Sequence, residues 1–194
     1  GHGDTDVDSH HDLPVIPHDR LRLDSVELYP FRALSDYGIG SMMVAHLNIP
    51  ALDARDNRPT TLSENTITGL LKKELNFKGL VFTDGLEMEG VTKYFDAGQV
   101  EAEALVAGND ILLLPESLDA ALKAINRYLA DGRLVQADLD ARVRKILRAK
   151  YRLGLHSFAP IPVENVRADL NTAGAMSLKR QLIREALTLV RNRD

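Results

Sequence analysis

The sequence predicts an α/β protein, with a parallel sheet covered by helices. Two observations carry that expectation. Three short runs, Ser41 to Leu47, Gly79 to Thr83 and Asp110 to Leu114, are nearly continuously apolar rather than alternating apolar with polar. That is the pattern of strands buried on both faces. Between them lie helix-length segments with apolar residues on one face, so strands and helices alternate along the chain.

The elements follow in order. Gly1 to Ile16 is polar and rich in His, Asp and Gly, and reads as a long loop. Leu23 to Leu34 is amphipathic but interrupted by Pro30, which predicts two short helical pieces. Ser41 to Leu47 is the first strand, closed near Pro50. Thr61 and Glu64 have capping-box spacing, and Ile67, Leu70, Leu71 and Leu75 then form one helix face. Gly79 to Thr83 is the second strand. Val100 to Ala107 is helical and stops at Gly108, a C-terminal glycine. Asp110 to Leu114 is the third strand, closed by Pro115. Ser117 caps a helix carrying Leu118, Ala121, Leu122, Ile125 and Leu129, ended by Gly132. A further helix carries Leu139, Val143, Ile146, Leu147 and Tyr151, ended by Gly154. Beyond it, Ser157 to Thr172 reads as an exposed linker, Ser177 to Ala186 as an amphipathic helix, and Leu187 to Val190 as the start of a strand.

Composition narrows the function. With 194 residues, 44% of them hydrophobic, the chain can bury one sizeable domain or one domain plus a fragment. A net charge of -4 leaves no basic footprint, so no nucleic-acid partner is expected. The absence of cysteine excludes disulfides and thiolate metal sites. No apolar run reaches the roughly 20 residues of a membrane span.

Two places carry chemistry. Asp84 follows Leu80-Val81-Phe82-Thr83 and precedes Gly85. In a parallel α/β barrel, catalytic groups project from the C-terminal ends of strands, so Asp84 is a candidate nucleophile exposed at the barrel mouth. The alternative is a loop aspartate capping the next turn. Asp8-Ser9-His10 puts a carboxylate two residues from an imidazole. Such a carboxylate can accept the imidazole N–H, set the tautomer and raise the basicity of the other nitrogen. The alternatives are a solvated loop, or a metal site drawing on His2, Asp4, Asp8, His10 and His11, although no standard ligand spacing fits. His46, near the end of the first strand, can line the same mouth or be a structural histidine. Met42, Met43 and Met88 read as packing residues. No glycine pattern matches a phosphate loop or a dinucleotide fingerprint.

Four segments together resemble a known family. Gly1-His2-Gly3-Asp4-Thr5-Asp6-Val7-Asp8-Ser9-His10-His11, Met43-Val44-Ala45-His46, Phe82-Thr83-Asp84-Gly85-Leu86-Glu87-Met88-Glu89-Gly90 and Ala107-Gly108-Asn109-Asp110-Ile111-Leu112 are similar to bacterial β-N-acetylglucosaminidases of glycoside hydrolase family 3, in consistent order over roughly residues 1 to 155. Arg184 to Asn192 resembles the opening of that family's second, α/β domain. The resemblance implies a (β/α)8 TIM-barrel-like catalytic domain, present as roughly its C-terminal half over 1–155. A linker over 156–176 and the start of a second α/β domain over 177–194 follow. A whole barrel needs about 250 residues. The family's Lys-His-Phe-Pro run and its first strands would precede Gly1, so the remainder of the barrel is expected from another segment.

The resemblance also implies roles. Asp84 matches the nucleophile, His10 the acid/base and Asp8 its partner, and His46 is a candidate substrate-binding residue. The expected activity is a retaining exo-β-N-acetylglucosaminidase acting on cell-wall muropeptides or related amino sugars, with no cofactor and no metal. A related β-glycoside phosphorylase, a metal-dependent hydrolase and a non-catalytic carbohydrate-binding fragment are the rival expectations. Periplasm or cell envelope is favoured over cytoplasm.

Overall fold

A computed structural model describes residues 2–191. Gly1 of the N-terminal motif, and Asn192, Arg193 and Asp194 of the expected second domain, lie outside the described residues. The chain separates into two compact units, Gly1–Arg152 and Leu153–Asp194.

The first unit is built on three parallel strands, β1 (Ser41–Val44), β2 (Leu80–Gly85) and β3 (Ile111–Leu113), side by side in chain order. Ser41 pairs with Leu80, and Met43 with Phe82. Phe82 pairs with Ile111, and the register then slips before Gly85 meets Leu113. At the slip, the Thr83 hydroxyl accepts the Leu113 N–H at 2.9 Å and keeps that donor satisfied. The three strands thus lie where the apolar runs place them. β1 and β3 are shorter than those runs, and β2 runs two residues further to include Asp84 and Gly85.

The helices follow the expected order with local corrections. Arg20–Arg22 passes directly into a π-turn over Leu23–Glu27, and α1 (Tyr29–Tyr37) carries Pro30 in its first turn, where its missing N–H costs nothing. The helix α2 (Asn65–Glu74) is π-wound, and its last turn closes with Leu75 N–H to the Leu70 carbonyl. Thr61 does not cap it. Thr60–Leu62 is a short 3-10 turn, and the Ser63 hydroxyl accepts the Thr66 N–H instead. α3 (Gln99–Ala107) ends at Gly108 with φ 114°, a left-handed conformation that favours glycine. Ser117 caps α4 (Leu118–Ala130), and α5 (Gln136–Arg152) follows.

The core lies on one face of the sheet. Met42 and Val81 pack against Ile67, Leu70, Leu71, Leu75 and Phe77, with Ala107 of α3 beside them. The opposite face carries Met43, 52% exposed, with Phe82 and Asp84 half-buried. On the far side of β1, Val15 forms a parallel bridge with Asn48. The Ile16 N–H reaches the Asn48 carbonyl at 2.9 Å, and the Asn48 N–H reaches the Pro14 carbonyl at 2.8 Å. The end of the N-terminal loop is therefore stitched to the sheet just beyond β1.

The second unit, considered by itself, holds short helical turns at Leu155–Ser157 and Val166–Leu170 and the helix α6 (Ala173–Ala186). That helix starts four residues earlier than its apolar pattern suggests, because the Thr172 side chain accepts the Ala175 N–H and caps it. Leu187 to Val190 forms no strand; among the described residues no segment pairs with it. Among the described residues, no helix is long and apolar enough to cross a membrane.

Candidate active site

Asp84 is the penultimate residue of β2, on the half-open face, and its carboxylate accepts the Gly85 N–H at 2.9 Å. His46 follows β1 at the same end of the sheet, as the parallel topology requires. It is completely buried. Its Nε2 lies 2.8 Å from the Gly85 carbonyl, which can only accept, so Nε2 carries the proton. Nδ1 then accepts from the Thr61 hydroxyl at 2.7 Å. Burial pushes the imidazole below its usual range. The Gly85 carbonyl and the Asp84 charge pull the other way without reversing the shift. His46 is thus a neutral ring with both nitrogens engaged, and it holds the backbone of the strand end that presents Asp84.

A second buried amide extends this support. Asn109 Nδ2 donates to the Thr61 carbonyl at 2.8 Å and to the Ala104 carbonyl at 2.7 Å. Asn109, Thr61, His46 and Gly85 therefore form one chain of bonds running beneath the strand ends. The sequence assigned neither Thr61 nor Asn109 to the site. Asn109 stands directly before the third apolar run, a placement that occurs equally in ordinary loops, and Thr61 adjoins no strand run at all.

Asp8 and His10 are brought together. The Asp8 Oδ1 accepts the His10 backbone N–H at 3.0 Å and lies 2.7 Å from its Nδ1. The backbone turns tightly here, with His11 and Asp12 N–H groups both bonded to the Asp8 carbonyl. The His10 backbone N–H, followed by its ring, holds the Asp8 carboxyl below its usual range. With Nδ1–H donated to a carboxylate, Nε2 is the nitrogen left for proton transfer. Both side chains are exposed, and among the described residues no hydrogen bond joins His10 to Asp84. Between them in sequence, Ser9 is fully buried and its hydroxyl sits 2.7 Å from His2 Nε2.

Four of the five residues of the metal alternative have other side-chain partners. His2 is bonded to Ser9, Asp4 to His18 at 3.1 Å, and Asp8 to His10. Among the described residues, no three His, Asp or Glu side chains gather closely enough to hold a metal ion.

Comparison with known proteins bears on the same segment. Residues 1–149 match the glycosyl hydrolase family 3 N-terminal domain. The chain is 32% identical to β-hexosaminidase A of Pseudoalteromonas piscicida over 99% of its length and 35% of that protein. It is 38% identical to a β-hexosaminidase of Methylobacillus flagellatus over 75% of its length and 40% of that protein. Among solved structures, a glycoside hydrolase family 3 β-N-acetylglucosaminidase from Paenibacillus sp. superposes with a TM-score of 0.90 at 37% identity, covering 100% of this chain and 37% of the other. The β-glucoside phosphorylase BglX superposes with a TM-score of 0.86 at 23% identity over 96% of this chain and 35% of its own, a likeness of fold. The chain spans between about a third and two-fifths of the length of these proteins.

Proposed function

Since the chain belongs to the glycosyl hydrolase family 3 N-terminal domain family, we propose that it supplies the nucleophile and the acid/base of a retaining exo-β-N-acetylglucosaminidase acting on muropeptides or related amino sugars. The observation that carries this reading is the Asp8–His10 pair, with 2.7 Å between Oδ1 and Nδ1, in a protein that carries Asp84 as the penultimate residue of β2. Residues 1–155 take the part of the C-terminal half of the barrel, 156–176 of a linker and 177–194 of the opening of a second domain. The other half of the barrel comes from a further segment.

In the proposed reaction the Asp84 carboxylate attacks the anomeric carbon while protonated His10 gives its Nε2 proton to the glycosidic oxygen. The C–O bond to the leaving group breaks and a glycosyl ester forms on Asp84. Neutral His10 then takes a proton from water, the hydroxide adds to the anomeric carbon, and the Asp84 carboxylate departs. Retaining enzymes ordinarily use two carboxylates about 5 Å apart. A histidine acid removes one negative charge from beside the nucleophile, and Asp8 returns a charge one bond further out, where it stabilises the imidazolium. His46 acts from beneath the site, through its hold on Gly85, and steadies the strand end that presents Asp84.

The test is turnover of an alkyl β-N-acetylglucosaminide by the full-length protein, with and without inorganic phosphate. Free N-acetylglucosamine in both conditions supports a hydrolase. A sugar 1-phosphate made only with phosphate present would overturn hydrolysis in favour of phosphorolysis, and no turnover at all would leave only carbohydrate binding.

A further inference from the structure

The loop carrying Asp8 and His10 does not hang free. It rests on the short segment that follows Asp84. The Gly90 N–H donates to the Ser9 carbonyl at 3.2 Å. Gly90 lies in the first turn of the helix Glu89–Thr92, where backbone N–H groups have no partner within the helix. Lys93 Nζ donates to the His11 carbonyl at 2.6 Å and stands 3.6 Å from the Asp12 carboxylate. The Tyr94 hydroxyl donates to that same carboxylate at 3.2 Å. Anchors on Ser9, on one side, and on His11 and Asp12, on the other, therefore bracket His10.

We propose that Gly90, Lys93 and Tyr94 are positioning residues that seat the Asp8–His10 loop, so that one continuous stretch of chain sets the nucleophile and holds the acid/base in place. Gly90 is the decisive member. A Cβ there would stand 2.8 Å from the Ser9 carbonyl oxygen and 3.1 Å from that of Asp12. Both obstacles are backbone, so the loop itself would have to lift. The glycine is not needed for its conformation, because it sits in an ordinary right-handed helical turn, where alanine is the better former. Its presence is explained by close approach. Buried Ser9 is also bonded through its hydroxyl to His2, so the loop is held at Ser9 by both backbone and side chain while the exposed His10 ring keeps Nε2 for a substrate.

This inference rests on the proposed roles of His10 and Asp84, but the docking itself can be read without catalysis. In the full-length protein, backbone hydrogen exchange of residues 8–12 should quicken in Gly90→Ala and in Lys93→Met, while exchange in β1 to β3 stays as in the wild type. In kinetics, kcat for an alkyl glycoside, which needs protonation of its leaving group, should fall about 100-fold in Gly90→Ala, the cost of a displacement near 1 Å. It should fall about tenfold in Lys93→Met, the loss of one charge-assisted bond. KM should change little in either, and an activated aryl glycoside should be nearly unaffected in kcat. If Gly90→Ala loosens the whole fold, Lys93→Met alone decides. Unchanged exchange over 8–12 in Lys93→Met would overturn the docking proposal. Quickened exchange with the two glycosides slowed equally would uphold the docking and overturn the acid/base role of His10.

Discussion

His46 and Gly85 are joined across two strands: the imidazole Nε2–H donates to the Gly85 carbonyl at 2.8 Å, one residue beyond Asp84. The other ring nitrogen is bonded to Thr61. Replacing His46 by alanine removes the partner of a buried carbonyl and of a buried hydroxyl. Each orphan costs about 1–3 kcal/mol, so His46→Ala should destabilise the fold by roughly 3 kcal/mol or more in chemical denaturation. The sign of the pH effect is fixed as well. Burial holds the folded imidazole below its unfolded range, so this contribution is complete above the unfolded pKa, about 6.5. It declines as pH falls through and below that value, because the unfolded chain binds the proton first. A stability curve from pH 8 to 5 that is no flatter in His46→Gln would contradict a neutral buried ring.

The nucleophile is tested by trapping. A 2-fluoro or 5-fluoro sugar with a good leaving group should leave a covalent adduct on Asp84, located by peptide mass spectrometry. Asp84→Ala should lose turnover by on the order of 10⁴-fold or more, as for removal of a covalent nucleophile. An adduct on any other carboxylate would remove Asp84 from the role.

The Asp8–His10 pair makes a separate prediction. Asp8→Asn keeps the size of the side chain but removes the charge that favours imidazolium. The alkaline limb of the pH–rate profile, set by loss of the acid's proton, should move to lower pH. The rate on unactivated glycosides should fall by roughly 10²–10⁴. Because the His10 backbone N–H and ring hold the Asp8 carboxyl low in the wild type, the pair should persist through mildly acidic pH and part only as pH drops below the usual carboxylate range. A chelator should leave the wild type untouched. Activity lost to chelation and restored by zinc would instead make the histidine cluster a metal site.

Acid stability should depend on two carboxylates away from the site. Burial opposes ionisation of Glu103, but Arg58 at 2.6 Å, the Tyr128 hydroxyl at 2.8 Å and Arg133 at 2.6 Å outweigh it and bring the carboxyl to about 2. Asp53 is also lowered to about 2, chiefly by its paired bonds from Arg55 and also by Ser63. Both are depressed carboxylates, so their stabilisation is present above about pH 4.5 and lost as pH falls from there toward 2. Glu103→Gln should destabilise the fold at pH 7 by about 3 kcal/mol, the cost of leaving two arginines without their buried partner, and should flatten the loss between pH 5 and 3. An unchanged acid midpoint would mean that other groups control it.

How much of this was legible in the sequence can be judged from single elements. The strands around Met42, Val81 and Leu112 announce themselves by nearly continuous apolar runs, the pattern of parallel strands, even though the face carrying Met43 stays half-open among the described residues. Helix ends at Gly108 and Ser117 are equally local, since a left-handed turn or a capping hydroxyl is a property of one residue. The Asp8–His10 bond spans two residues and follows from turn geometry. The misreading of Thr61 as a cap shows where locality fails. Its hydroxyl is taken by His46, fifteen positions earlier, and nothing within four residues of Thr61 reveals that competitor.

Sequence alone thus determined the parallel α/β class, the positions of the strands along the chain and the placement of Asp84 and His46 at one end, because chain direction fixes the end at which parallel strands finish. Only the tertiary structure decided that His46 turns inward to hold Gly85, that Asn109 supports Thr61, and that Gly90, Lys93 and Tyr94 carry the loop of His10. The physical reason is that backbone carbonyls are the acceptors in most of these contacts. Every residue has one, so no residue type marks which carbonyl a distant donor will meet until the chain has packed.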